Sequence, residues 1–291
     1  LIRPETLNAV IPSGDNVGLS ALFCLAQSAD GRAMLAQPAV VQLIRPEAFN
    51  AVIPSGVNAG LSSALFCLAQ SETGQAMLAQ PAVIQLIRPE ALNAVIPSGD
   101  QAGESALFCL AQSKTGRAML AQPDLIKLIR PETLNAVIPS GDNVGLSALF
   151  FLAGHTDGRA ILAQPAVVQL IRPEALNAVI PSGIYVGKSA VFWLATSVDG
   201  RSILLQPKVF KLIRPGAINT IILSKCYAKQ PTFPSLNSNP TLFANKQDAS
   251  KSPTAGQSKQ EKESNPLNTI SRKRPFLEEE SGPGKLGPKF E

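Results

Sequence analysis

The sequence predicts an all-α chain: an α-solenoid of five 42-residue repeats over residues 1–223, then a disordered C-terminal tail over residues 224–291. Three observations predict it. The string Leu-Ile-Arg-Pro starts at Leu1, Leu43, Leu86, Leu128, Leu170 and Leu212, at intervals of 42, 43, 42, 42 and 42 residues, the odd one made by the doubled Ser62–Ser63. Hydrophobic residues make up 45% of the chain and aromatics only 5%, so the core is Leu, Ile, Val and Ala, which suits closely packed helices better than strands. Pro and Gly cut each unit into helices too short to persist alone, so each unit must bury its apolar face on the next.

The units are 1–42, 43–85, 86–127, 128–169 and 170–211, with a partial cap at 212–223. In the first, Asp15-Asn16-Val17-Gly18 reads as a turn, and Ser20 as the N-cap of a helix over Ala21–Gln27 with Leu22, Leu25 and Ala26 on one face. Asp30-Gly31 is expected to break that helix, and Arg32–Gln37 to form a second one with Met34 and Leu35 inward. Pro38 and Pro46 sit where a first-turn proline costs no hydrogen bond, and open helices over Ala39–Ile44 and Glu47–Val52. Pro54-Ser55-Gly56 closes the unit. In the last partial unit Gly216 replaces Glu, and Ile218 and Ile221–Leu223 lengthen the apolar run, as expected of a cap. The chain opens at Leu1 in mid-repeat without Met, which reads as a fragment lacking an N-terminal part.

Charge narrows the function classes. Residues 1–223 carry a net +1 and residues 224–291 a net +4, so the repeats lack the basic surface that drives phosphate binding, and no nucleic-acid partner is expected. Pro, Arg or Gly interrupts every apolar run, so no membrane partner is expected either. Cys24, Cys67 and Cys109 share one repeat position, filled by Phe151 and Trp193 in later units, and read as a buried packing slot rather than a disulfide framework. His155 is the only histidine, with no Cys, Asp or Glu recurring at ligand spacing; no metal, cofactor, catalytic residue or small-molecule substrate is expected.

Among near-identical units the variable positions carry information. The turn triplets read Asp15-Asn16-Val17, Val57-Asn58-Ala59, Asp100-Gln101-Ala102, Asp142-Asn143-Val144 and Ile184-Tyr185-Val186. They are either solvated turns drifting neutrally or the face that binds a protein partner. The partner-binding candidates are Asp15, Asn16, Asn58, Asp100, Gln101, Asp142, Asn143, Ile184, Tyr185 and Val186, with Tyr185 the leading one; its apolar triplet reads either as an interface anchor or as the place where the irregular tail folds back. Arg3, Arg45, Arg88, Arg130, Arg172 and Arg214 form a ladder in the invariant part of the repeat. Such a ladder either recognises an acidic partner or caps the carbonyls ending the previous helix, and its invariance favours the structural role.

The run Asp15-Asn16-Val17-Gly18-Leu19-Ser20-Ala21-Leu22-Phe23-Cys24-Leu25-Ala26 resembles the ankyrin signature, a Gly-containing turn followed by a small-residue helix, and Asn8-Ala9 resembles the close of an ankyrin unit. The period is 42 rather than about 33, Ser-Ala stands for Thr-Pro and Phe for His, so HEAT or armadillo units suit the period equally. The resemblance implies an ankyrin-like solenoid that binds protein. In the tail, Arg272-Lys273-Arg274 before Pro275 resembles a nuclear-import signal. Glu278-Glu279-Glu280, with Phe290 near the end, resembles the translocation signal of type IVB (Dot/Icm) effectors of intracellular bacteria, which include many ankyrin-repeat proteins. These resemblances imply a non-enzymatic interaction scaffold, bacterial before secretion and inside a host cell afterwards, with the host nucleus a further destination. Two alternatives stand beside it: the recognition arm of an enzyme whose catalytic domain lies upstream of Leu1, and a decaying gene fragment.

Overall fold

In a computed structural model the described residues are 3–13, 17–52, 63–99 and 101–217, all within one compact unit. They are helical and hold no strand; Val10 and Ser20 form an isolated antiparallel bridge. Every repeat follows one plan of four short helices. The first has α1 (Pro4–Asn8), α2 (Ala21–Gln27), α3 (Ala29–Leu35) and α4 (Pro38–Val41). The second has α5 (Pro46–Phe49), α6 (Ser63–Ala69), α7 (Glu72–Leu78) and α8 (Pro81–Ile84). The third has α9 (Pro89–Leu92), α10 (Ala106–Gln112), α11 (Lys114–Leu120) and α12 (Pro123–Ile126). The fourth has α13 (Pro131–Leu134), α14 (Ala148–Gly154), α15 (Thr156–Leu162) and α16 (Pro165–Val168), and the fifth α17 (Pro173–Asn177), α18 (Ala190–Ala195), α19 (Val198–Leu204) and α20 (Pro207–Phe210).

Local chemistry sets these boundaries. Ser20, Ser105, Ser147 and Ser189 each accept a hydrogen bond from the backbone N–H three residues on, so the central helix starts where a hydroxyl can satisfy an orphan donor. Ser28, Ser71, Ser113 and Ser197 do the same for the next helix through Gly31, Gly74, Gly116 and Gly200. The expected break at Asp30-Gly31 is therefore misplaced. Ser28 ends one helix and caps the next, and Asp30 and Gly31 lie inside α3. The proline-led helices begin on Pro38 and Pro46 and stop at Val41 and Phe49, shorter than expected.

Glycine at the third position of that helix is required by packing. A Cβ at Gly116 would lie 2.2 Å from the Leu110 carbonyl oxygen, and the same clash recurs at 2.1–2.3 Å for Gly31, Gly74, Gly158 and Gly200. Two consecutive helices thus touch backbone to backbone. Equivalent helices then stack on one another: α2 on α6, α6 on α10, α10 on α14, α14 on α18, and likewise α3, α7, α11, α15 and α19. Helix α10 has neighbours on both sides and buries Ala106, Leu107, Phe108, Cys109, Leu110 and Ala111, whereas α2 buries only Leu22, Phe23 and Ala26. Burying a large aliphatic or aromatic side chain contributes about 1.5–3 kcal/mol, which outweighs the poor stability of a seven-residue helix. Met34, expected inward, is 37% exposed in the first unit, whereas Met77 and Met119 are buried to 1%. The cysteine column grades the same way: Cys24 is exposed, Cys67 half-buried and Cys109 buried, so the expected packing slot is filled only inside the stack.

Candidate functional site

Between the first and second helix of the third, fourth and fifth units the chain makes a tight finger. In the third, Ile96 N–H donates to the Glu104 carbonyl at 2.9 Å and Gly103 N–H returns to the Ile96 carbonyl at 2.8 Å. Ile138 with Leu146 and Gly145, and Ile180 with Lys188 and Gly187, repeat the pattern. Gly103, Gly145 and Gly187 hold φ of 87°, 82° and 77°, a conformation that other L-residues rarely adopt. The fingers carry the variable triplets, and here the candidate residues separate.

Asp15, Asn16, Asn58 and Asp100 lie outside the described residues, as do Arg272, Lys273, Arg274, Glu278, Glu279, Glu280 and Phe290. Gln101 is half-buried and Asp142 exposed. Asn143 is engaged: its Nδ2 donates to Glu104 Oε1 of the preceding finger at 2.8 Å. Burial pushes the Glu104 carboxyl up, and the bond from Asn143 pulls the other way. Tyr185, the leading candidate, is a core residue. Its ring meets Phe150 at 5.4 Å and Phe151 at 6.3 Å, both edge-on, and burial raises its hydroxyl pKa. The neighbours it pins are what face outward: Ile184 is 73% exposed and Val186 59%. The size of the Tyr185 ring suits it to filling the core rather than to anchoring a partner at the surface. Lys188 completes the corner, its ammonium 4.6 Å from the Trp193 ring centroid and 5.9 Å from that of Tyr185.

The invariant polar residues hold one unit to the next. Asn8, Asn50, Asn93, Asn135 and Asn177 each donate from Nδ2 to the carbonyl of the Pro four residues back and to the carbonyl of the next unit's Leu, while Oδ1 accepts from the next unit's Arg N–H. For Asn135 the distances are 2.6, 2.8 and 2.9 Å. One amide satisfies five times the backbone at a unit junction. Sequence reasoning missed this column, although its recurrence in every unit was the available signal.

Three members of the arginine ladder make ion pairs between units rather than carbonyl caps. Arg88, Arg130 and Arg172 pair with Glu47, Glu90 and Glu132 of the preceding unit at 2.9, 3.0 and 2.7 Å, with both partners well exposed. The capping role belongs to a second column, Arg32, Arg117, Arg159 and Arg201, whose Nη1 donates to the carbonyl of Ala26, Ala111, Ala153 or Ala195 at 3.2 Å. Gln75 takes that place in the second unit, reaching the Ala69 carbonyl at 2.7 Å. Arg117 also binds Asp157 of the next unit at 2.7 Å. Burial opposes ionisation of Asp157, and the bond and charge of Arg117 outweigh it, leaving that carboxyl below its ordinary range. His155 stands where the other units have a capping Ser, and Asp157 Oδ1 accepts from Gly158 N–H at 2.8 Å in its stead. Burial first, then the charges of Arg117 and Arg159, push the imidazole down to about 4 against the pull of Asp157.

Among the described residues no group of three or more His, Cys, Asp or Glu is placed to hold a metal ion, and no helix is long and apolar enough to cross a membrane. A shallow, open depression lies between Glu5, Asn8, Ala9, Arg45, Glu47 and Ala48. Comparison with models of known families, with curated proteins and with solved structures gives no match.

Proposed function

We propose that residues 1–223 form an α-solenoid of five ankyrin-like repeats closed by a cap at 212–223, and that it serves as a non-enzymatic protein-interaction scaffold. The observation that carries this reading is the fifth finger: Ile184 and Val186 stand exposed on a turn whose middle residue, Tyr185, is anchored in an aromatic cluster. Large apolar side chains held outward on a rigid turn lose little entropy when a partner covers them, which is the economy of an interaction anchor. The stacking of equivalent helices and the asparagine bonds at every described junction support the solenoid. The partner is a host protein, and the chain a secreted bacterial effector. The resemblance of Glu278-Glu279-Glu280 to a translocation signal supports secretion, and that of Arg272-Lys273-Arg274 to an import signal supports entry into the host nucleus.

The immobilised chain and its Ile184→Asp/Val186→Asp variant, each passed through host-cell lysate, test the scaffold. Proteins retained by the wild type and lost by the variant are expected; the same proteins on both, or none on either, contradicts it. A reporter carried on the chain should reach the host cytosol only with Glu278, Glu279 and Glu280 intact, and entry without them removes the effector reading.

A further inference from the structure

The third, fourth and fifth fingers stack through one recurring contact. A Cβ at Gly103 would lie 2.8 Å from Pro139 Cδ and 3.0 Å from Ile138 Cα, and one at Gly145 would lie 2.8 Å from Pro181 Cδ and 3.3 Å from Ile180 Cα. Each glycine floors a slot that the Ile-Pro pair of the following finger fills, and Ile138 and Ile180 are buried there. Gly187 repeats the floor in the fifth finger, with the same positive φ, and a Cβ built on it meets no described residue within 4 Å.

The chain that follows matches this slot. It keeps to the repeat up to Ala217: Asn177 Nδ2 donates to the Leu212 carbonyl, Arg214 N–H donates to Asn177 Oδ1, and Ala217 is buried, as Ala175 is. Beyond it, Asn219, Ile222, Ser224 and Tyr227 stand 42 residues after Asn177, Ile180, Ser182 and Tyr185, so the repeat pattern runs past the expected cap boundary at 223. Ile222 is five residues from Ala217, the spacing that separates Ile180 from Ala175. A chain already held at Ala217 therefore meets the slot in register, and so short a tether gives it an effective concentration that a free partner lacks.

The departures from the repeat are those of an end. Gly216 drops the glutamate that, as Glu47, Glu90 and Glu132, pairs with the arginine of a following unit. Leu223 puts an apolar side chain where Pro181 has its ring. Lys225 and Lys229 replace Gly183 and Gly187, so the segment has neither the positive-φ turn nor the glycine floor on which a further finger would seat.

We propose that residues 218–224 are a built-in end plug: Ile222 enters the Gly187 slot with Leu223 beside it, and the segment closes the stack to any further unit, whether of this chain or of another copy. Asp142, which matches Ile184, is exposed beneath the fifth finger, and Val144, which matches Val186, is half-buried there. The plug therefore leaves Ile184 outward as the partner anchor and covers part of Val186. This deepens the solenoid half of the proposed function and rests on it.

Hydrogen–deuterium exchange of the full chain, read by mass spectrometry, tests the plug. Residues 218–224 should exchange at least about tenfold more slowly than the rate intrinsic to their sequence. Ile222→Asp and, separately, Gly187→Val should each restore the intrinsic rate while α10 and α14 stay protected, and Ile222→Val should keep the protection. Intrinsic-rate exchange of 218–224 in the wild type, with α10 and α14 protected, overturns the plug and leaves the solenoid standing; free exchange in α10 and α14 as well removes both. Protection that survives Ile222→Asp and Gly187→Val puts the segment elsewhere, and protection that grows with protein concentration puts it on another copy. Either result overturns the proposal.

Discussion

Asn135 shows how one side chain ties two units. Its amide meets three backbone groups, two of them in the next unit, and it is buried. Asn135→Ala should destabilise the chain by about 2–4 kcal/mol in urea unfolding, because buried backbone groups lose partners that water cannot replace. Asn135→Asp should do at least as badly, since a carboxylate faces two carbonyls with no donor to offer. His155 gives a pH signature. Its folded pKa of about 4 lies below the ordinary 6.5, so between those values only the unfolded chain takes the proton. Stability should fall as pH drops from about 6.5 to 4, by on the order of 2 kcal/mol, and level off below. Arg117, Asp157 and Arg159 face the ring, so the difference between wild type and His155→Ser isolates its share. An unchanged slope in the variant would remove the imidazole from the account. At this scale the Ser20 cap was legible because a cap is a local contact, whereas the Ser28 cap was obscured by the Asp30-Gly31 pair that follows it. The asparagine bonds and the carbonyl-capping arginines were not legible, because their partners lie in the next unit or at the end of the preceding helix, whose approach only the packing decides. Two arginine columns recur in the sequence, one in every unit and one with Gln75 standing in the second, and nothing local says which one folds back.

At the scale of elements, the two longer helices of a unit are held at backbone contact by a glycine that admits no side chain. Gly116→Ala would force a Cβ to 2.2 Å from the Leu110 carbonyl oxygen, and α11 must back away from α10. A loss of about 1–3 kcal/mol is expected in thermal or urea unfolding, against the helix-propensity gain that alanine brings elsewhere. A neutral or stabilising result would mean the two helices are not in contact. The sequence signalled a breaker at Asp30-Gly31 because glycine usually ends helices. Here it sits inside one, for a reason of packing rather than of conformation. Burial of Met34 and Cys24 differs from the expectation for a related cause: periodicity names the face of a helix but not how much of that face its neighbours cover.

For the whole molecule, repeat length and helical class were legible from the recurrence of Leu-Ile-Arg-Pro and from an aliphatic composition, since both reflect a core made by like units covering like. The placement of Tyr185 was not, because an apolar turn triplet says nothing about which of its three side chains turns inward. The account makes stability a property of junctions: short helices, each unstable alone, held by apolar stacking and by one asparagine per boundary. The measurement that bears on it most directly is the urea unfolding, followed by circular dichroism, of chains carrying one, two, three and five consecutive units. A lone unit such as 86–127 should show little helix, and midpoint and slope should both climb with each unit added. A single unit as helical and as stable as all five would contradict it.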